Sequence, residues 1–259
     1  MLLVIRDPSL AHTVHYVLEC AALAIGAWVY RRRKAGQGVS SVLRGPIYPL
    51  VLGCLLGAAV GNKAMFWIEN PHLWAQAVNT PALWLQGQSI VGGLLGGWMG
   101  VELGKWLSGW QAPRTGDDFV PAILSGILVG RVGCFVSGLN DGTYGLPTGM
   151  PWGIDLGDGI PRHPAPLYEW VLALAALLTW QCWSRALAHT QGLAFRCWML
   201  GYMLWRLGID ALKPVPYAYW GGLSGIQWVC CVAALLITIS IWQDKYLGRE
   251  RQHPNTHAL

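Results

Sequence analysis

The chain has 259 residues, of which 54% are hydrophobic and only 12% charged, with a formal net charge of +5. A soluble domain carries about 25% charged residues, so this composition excludes an ordinary soluble protein and points to an integral membrane one. The basic excess does not point to nucleic acid, because the lysines and arginines fall in short stretches between apolar runs and form no continuous basic stripe.

In chain order, Met1–His15 lacks a basic end followed by an apolar core, so no cleavable signal is expected there. Apolar windows of about 20 residues, the length that crosses a bilayer as a helix, fall at Tyr16–Tyr30, Ile47–Ile68, Ser89–Leu107, Phe119–Ser137, Leu167–Trp183, Leu193–Leu212 and Leu223–Trp242. Spanning backbone must satisfy its own polar groups, so these windows are predicted to be helical. The expected fold is an all-α integral membrane protein: a seven-transmembrane helix bundle with a structured outer loop between spans 4 and 5. It forms a single domain over residues 1–259, since no Ser/Gly-rich or Pro-rich linker divides the chain. Sixteen tryptophans suit interfacial belts, and thirty-three glycines suit close helix packing.

The basic residues predict orientation. Arg31, Arg32, Arg33, Lys34, Arg44, Lys105, Arg114, Arg185, Arg196, Lys245, Arg249 and Arg251 fall on one side. Only Arg6, Arg162 and Lys213 fall on the other, and Lys63, Arg131 and Arg206 lie within spans. The positive-inside rule then places the N-terminus outside and the C-terminus in the cytoplasm of a bacterial inner membrane. Asn70–Gln86, Asp141–Pro166 and Pro214–Gly222 face outward. The second of these loops is dense in Gly and Pro, with turn signals at Asn140-Asp141-Gly142 and Gly157-Asp158-Gly159. It reads as a stiff element, either a functional lid or a structured connector.

Three polar clusters interrupt the oily chain. Arg131 sits in Gly130-Arg131-Val132-Gly133-Cys134-Phe135-Val136-Ser137-Gly138. The second cluster is Arg162-His163-Pro164-Ala165-Pro166-Leu167-Tyr168-Glu169, and the third is Tyr202–Pro214 with Arg206 and Asp210. A charge at membrane depth usually faces a protein interior and has a job. Arginine presents a planar fork of donors matched to phosphate or carboxylate. Arg131, Arg206 and nearby Glu169 therefore point to one polar pocket for an anion, most simply a phospholipid head group. Arg206 and Asp210, four apart, share a helix face; the plainer reading makes them a structural pair. His163 is a candidate general base, or a satisfied loop residue. Glu19 and Glu102 are both candidate partners for Lys63. Gly92 and Gly93, in a run of four glycines within six residues, are explained by packing or by backbone amides offered to a head group. The seven cysteines, Cys20, Cys54, Cys134, Cys182, Cys197, Cys230 and Cys231, lie in apolar runs without CxxC spacing. Neither disulfides nor a metal site is expected from them, and no cofactor is expected.

These motifs, in this order, resemble bacterial prolipoprotein diacylglyceryl transferases. The resemblance rests on Gly130-Arg131-Val132-Gly133-x-Phe135-x-x-Gly138, on Pro161-Arg162-His163-Pro164-x-x-Leu167-Tyr168-Glu169, and on Tyr202-x-x-x-Arg206-x-x-x-Asp210. Ser89-x-x-Gly92-Gly93-Leu94-x-Gly96 and Leu223-Ser224-x-x-Gln227 add weaker support. The resemblance implies transfer of the diacylglyceryl group of phosphatidylglycerol, or of another anionic phospholipid, to the lipobox cysteine of a prolipoprotein signal peptide. It implies that Arg131 and Arg206 hold the phosphate, with Tyr202 lining the site. Asp210, Glu169, Tyr168, Gly138, Asp141, Arg162, Gly92 and Gly93 are further candidate substrate-binding residues, and His163, Arg131 and Arg206 the candidate catalytic ones. The chain departs from the family pattern at several positions. Val91 stands where a histidine is usual, Cys134 where asparagine is frequent, Leu139 where an acid is usual with Asp141 two residues on, Ala165-Pro166 where Ser-Gln is usual, and Asp210 where Glu is common. It reads as a divergent member. The competing readings are a non-catalytic phospholipid-binding membrane protein that kept the phosphate pocket and, ranked last for want of an internal repeat, a transporter.

Overall fold

The computed structural model describes residues 4–34, 48–85, 87–109 and 116–252. Arg44, Ile47, Gln86 and Arg114 lie outside the described residues, as do the side chains of Lys245, Arg249 and Arg251. The chain is mostly helical: α1 (Pro8–Lys34), α2 (Tyr48–Glu69), the short α3 (Trp74–Asn79), α4 (Ile90–Ser108), α5 (Val120–Ser137), α6 (Ala165–Leu187), α7 (Leu193–Asp210) and α8 (Gly225–Gln252). Among the described residues, four segments are long and apolar enough to cross a membrane: α1, α2, the stretch Gly116–Asp141 around α5, and Gly225–Asp244 of α8. Long apolar faces, including Leu23, Leu56, Val60, Leu178 and Leu235, are exposed, as expected of surfaces solvated by lipid.

Helix α1 begins well before its apolar window. Asp7 accepts a 2.7 Å hydrogen bond from the Leu10 amide and Pro8 opens the helix, a start that needs no apolar residue. Its last turn holds Arg31, Arg32, Arg33 and Lys34, where cations complement the exposed carbonyls. Helix α8 starts at a reciprocal cap. Ser224 Oγ accepts from the Gln227 amide at 3.1 Å, and Gln227 Oε1 accepts from the Ser224 amide at 2.9 Å. The first turn of α7 is capped from a distance, because the Asp117 carboxylate accepts the Gly192 and Phe195 amides at 2.8 and 2.7 Å. Arg196, expected in a loop, is instead buried there and bonds Ser240 and Asp244 of α8.

The helices pair as α1 with α5, α2 with α4, α5 with α6 and α7 with α8. The α2–α4 pair is the closest, and glycine explains it. Gly53, Gly57 and Gly61 face Gly92, Gly96 and Gly100. A Cβ on Gly57 would stand 2.2 Å from the Gly96 carbonyl oxygen, and one on Gly96 would stand 2.2 Å from that of Gly57. Glycine stripes at four-residue spacing let two backbones touch where lipid supplies no hydrophobic drive. Gly96→Ala is therefore expected to destabilise by about 1–3 kcal/mol as the helices are pried apart. Gly93→Ala, whose Cβ meets nothing within 4 Å, is the neutral control. Thermal unfolding in detergent compares them.

Between α5 and α6 the chain forms a small antiparallel hairpin, β1 (Ile154–Asp155) with β2 (Pro161–Arg162). Its turn is held by Asp155 Oδ1, which accepts from Gly157 and Gly159 at 2.7 and 2.9 Å. The Leu146 amide donates to the Leu212 carbonyl at 2.7 Å and the His163 amide to Leu146 at 3.0 Å. The segment is thereby tied to the end of α7 and is a built element.

Candidate functional site

Glu169, near the start of α6, is the centre of the polar interior, with a side chain only 2% exposed. Three cations from three elements converge on it. Arg131 of α5 pairs with its Oε2. Arg206 Nη1 of α7 and Lys213 Nζ, just beyond α7, lie 3.1 and 2.6 Å from its Oε1. Asp210, one turn along α7, pairs with Arg206 Nη2 at 2.6 Å. The separation of four residues places Tyr202, Arg206 and Asp210 on one α7 face, and that face is buried. Taking such charges out of a polar medium is costly unless they are paired and hydrogen-bonded. Yet Arg131 Nε, Arg206 Nε and the Tyr202 hydroxyl find no hydrogen-bond partner among the described residues. Tyr202 is stacked on Trp198 at 5.7 Å. The arrangement is an anion cradle with a carboxylate in it, and it retains unused N–H and O–H groups.

A second cluster adjoins the first through Cys134. Arg131 Nη1 lies 3.6 Å from Cys134 Sγ, and Cys134 Sγ lies 3.8 Å from His15 Nε2 of α1. The other ring nitrogen of His15, Nδ1, is 2.8 Å from Asp141 Oδ1. The Thr143 hydroxyl donates to Asp141 in turn.

The remaining sequence candidates sit around these two. His163 Nδ1 is 3.2 Å from the Tyr168 hydroxyl, which accepts from Trp152 Nε1 at 2.8 Å. Arg162 is engaged with Asp158 at 2.6 Å and lies over the Tyr144 ring at 5.2 Å. That hydrogen bond holds the exposed Asp158 carboxyl below its usual range. Gly138 ends α5 with φ +57° and ψ −126°, a conformation only glycine adopts without strain. The Gly92 amide donates to Ser89 Oγ and the Gly93 amide to the Ser89 carbonyl, so both are spent on the N-terminus of α4. Val91 is buried in the apolar core. Lys63 donates to the Gly87 carbonyl at 2.7 Å, Glu102 pairs with Lys105 at 2.9 Å, and Glu19 bonds Gln88 and approaches His15.

Sequence reasoning missed Lys213, His15 and Glu69. Lys213 carried a signal, since it follows Asp210 by one turn at the end of a charged helix face. His15 fell one residue before the first apolar window and read as loop. Glu69, closing α2, lies in electrostatic reach of Arg206, Asp210 and Lys213; nothing local marks it.

Comparison with known proteins shows the family. The family model described as prolipoprotein diacylglyceryl transferase matches residues 9–243. A phosphatidylglycerol--prolipoprotein diacylglyceryl transferase of Nitratidesulfovibrio vulgaris (strain Miyazaki F) is 31% identical over 222 residues, covering 79% of this chain and 79% of the relative. Proteins of the same name from Legionella pneumophila (strain Paris) and Nitrosomonas europaea are 30% and 26% identical. They cover 86% and 88% of this chain and 87% and 82% of their own lengths. The match runs through all three polar clusters, and the chain belongs to the prolipoprotein diacylglyceryl transferase family, a family of lipid-modifying transferases.

Proposed function

We propose that this chain transfers the diacylglyceryl group of phosphatidylglycerol to the lipobox cysteine thiol of a prolipoprotein. The observation that carries the reading is the convergence of Arg131, Arg206 and Lys213 on one buried carboxylate. In this reading Glu169 occupies the place a lipid phosphate takes. The thiol sulfur bonds to the glycerol carbon, the bond from that carbon to the phosphate oxygen breaks, and glycerol phosphate leaves. Two guanidinium forks stabilise the charge gathering on the leaving phosphate. Tyr202 lines the site, with Asp210 and Lys213 setting the field around Arg206.

The thiol proton must also go somewhere. Val91, buried and apolar, accepts none. His163 is the proposed acceptor: Tyr168 holds one ring nitrogen, and the following residue, Pro164, lines a recess shared with Cys134. His163→Gln is expected to lower turnover about a hundredfold or more while leaving lipid binding intact. Full activity in that variant leaves His163 a loop residue.

The reaction is proposed for the bacterial cytoplasmic membrane, with seven spans, α1, α2 and α4 to α8. The basic ends of α1 and α4, at Arg31–Lys34 and Lys105, support N-out and C-in orientation, with the 138–164 segment facing outward. A C-terminal reporter that works only in the cytoplasm is the expected result; one active only in the periplasm reverses the assignment.

The deciding experiment incubates purified protein with labelled phosphatidylglycerol and a lipobox peptide and weighs both products. A peptide gaining one diacylglyceryl mass, with release of glycerol phosphate, is expected. Lipid binding without transfer favours instead a non-catalytic phospholipid-binding protein.

A further inference from the structure

His15, Cys134 and Asp141 are brought together from α1, from α5 and from the 3-10 turn that follows α5. Their donor atoms all lie within 4.8 Å of one another. Cys134 and Asp141 stand at the two nitrogens of the His15 ring, Nε2 and Nδ1. Asp141 and Cys134 are nearly buried, and the His15 side chain is 22% exposed. The carboxylate of Glu19 stands 3.5 Å from His15 Nε2.

The donor set is one thiol, one imidazole and one carboxylate. Ligand atoms about 2.0–2.3 Å from a tetrahedral zinc ion stand roughly 3.3–3.8 Å apart. The 3.8 Å between Cys134 Sγ and His15 Nε2 is such a spacing; Asp141 stands 2.8 Å from the ring's other nitrogen, Nδ1, so its carboxylate turns to share an ion with Nε2. A metal thiolate needs a deprotonated sulfur, and the Arg131 guanidinium lies 3.6 Å from Cys134 Sγ. Ligating carboxylates are themselves held by outer hydrogen bonds, and Thr143 supplies one to Asp141. Three protein ligands leave a fourth position open, as in catalytic rather than structural zinc sites. A small recess lined by Tyr144, Leu156 and Pro164 reaches Cys134.

We infer that His15, Cys134 and Asp141 form a site for a thiophilic divalent metal ion of the zinc class, with an acceptor thiol as its fourth ligand. The role of the fourth ligand rests on the transferase reading above; the metal site does not. A thiol that coordinates such an ion loses its proton outright. Here His163 takes up that proton. The bound thiolate then lies one side chain from Arg131, and so beside the phosphate-holding cluster. Cys134 and Val91 are two of the positions at which the chain departs from its family's pattern, and Asp141 is the acid nearest a third, Leu139. The inference ties them together: where the usual histidine is apolar, a metal activates the thiol.

The test uses the full chain, purified in detergent and stripped with a chelator, then titrated with cobalt(II) as a spectroscopic probe and with zinc(II) as competitor. The expected result is one cobalt(II) per chain with a thiolate-to-cobalt charge-transfer band, displaced by zinc(II). Cys134→Ser removes the band, Cys231→Ser keeps it, and His15→Ala and Asp141→Asn each weaken binding by about tenfold or more. No band in the wild-type chain, or a band that survives in Cys134→Ser, overturns the site and leaves a hydrogen-bonded triad only. Transfer to the lipobox peptide is measured on the same samples. Transfer lost on stripping and restored by zinc(II) supports both readings. A bound metal without any transfer supports the site and overturns the transferase reading. Full transfer by a stripped chain that takes up no cobalt does the reverse.

Discussion

Glu169→Gln is expected to cost about 3–5 kcal/mol of stability, the range seen when one partner of a buried ion pair is removed. The reason is arithmetic of charge rather than loss of one contact. Arg131, Arg206 and Lys213 all lean on this carboxylate, so neutralising it leaves three cations facing one another in a buried site. Asp210 pairs directly with Arg206 and does not replace the shared carboxylate. Unfolding by heat or denaturant in detergent reads the loss. A second measurement separates the cradle from a merely structural pair. Anionic lipid or inorganic phosphate binds the folded form alone and stabilises it by mass action. It should therefore restore Glu169→Gln more than it stabilises the wild type, because the competing carboxylate charge is gone. A variant as stable as the wild type, or one indifferent to anions, sinks the idea that this cluster is an anion site.

Arg131→Lys and Arg206→Lys are the complementary pair. Each keeps the positive charge beside Glu169, so folding should survive. Each removes the planar fork that grips two oxygens of a phosphate at once. If the forks stabilise charge gathering on leaving glycerol phosphate, the loss belongs to the chemical step. A fall in kcat of about 10²–10³ is expected, the size seen when one preorganised donor of this kind is removed. The lipid KM should change little, because an interaction made mainly in the transition state lowers kcat and kcat/KM together. A variant within a few-fold of wild type, or a loss confined to KM, would place the arginines in lipid binding only. The two substitutions touch the same carboxylate, so the double variant should lose less than the product of the single losses.

Much of this architecture was legible in residue order. Apolar windows mark helices because a bilayer leaves the backbone no other way to satisfy itself. Arg131, Arg206 and Glu169 stand out for the same reason: a charge in an apolar run is costly, so its presence asks for a function. The end of a window was less legible. Asp7 and Pro8 start α1 ahead of its apolar stretch, and that difference hid His15. Arg196 read as a loop cation because hydropathy cannot see the buried bond it makes with Ser240 and Asp244 across to α8.

By itself the sequence determined that this protein is a helical, membrane-embedded member of its family, and that two arginines and an acid lie where charges are expensive. Those are consequences of local composition and spacing, which a single chain carries on its face. Only the tertiary structure decided which charges meet. Glu169 and Arg131 are 38 residues apart, Glu169 and Lys213 are 44 apart, and Cys134 and His15 are 119 apart. It also decided what the glycines are for. In sequence Gly92 and Gly96 are well explained by packing, with head-group binding as the alternative. In the fold their Cβ positions are filled by the α2 backbone. Helix pairing is set by which faces can touch, and that depends on both partners at once, so neither helix states it alone.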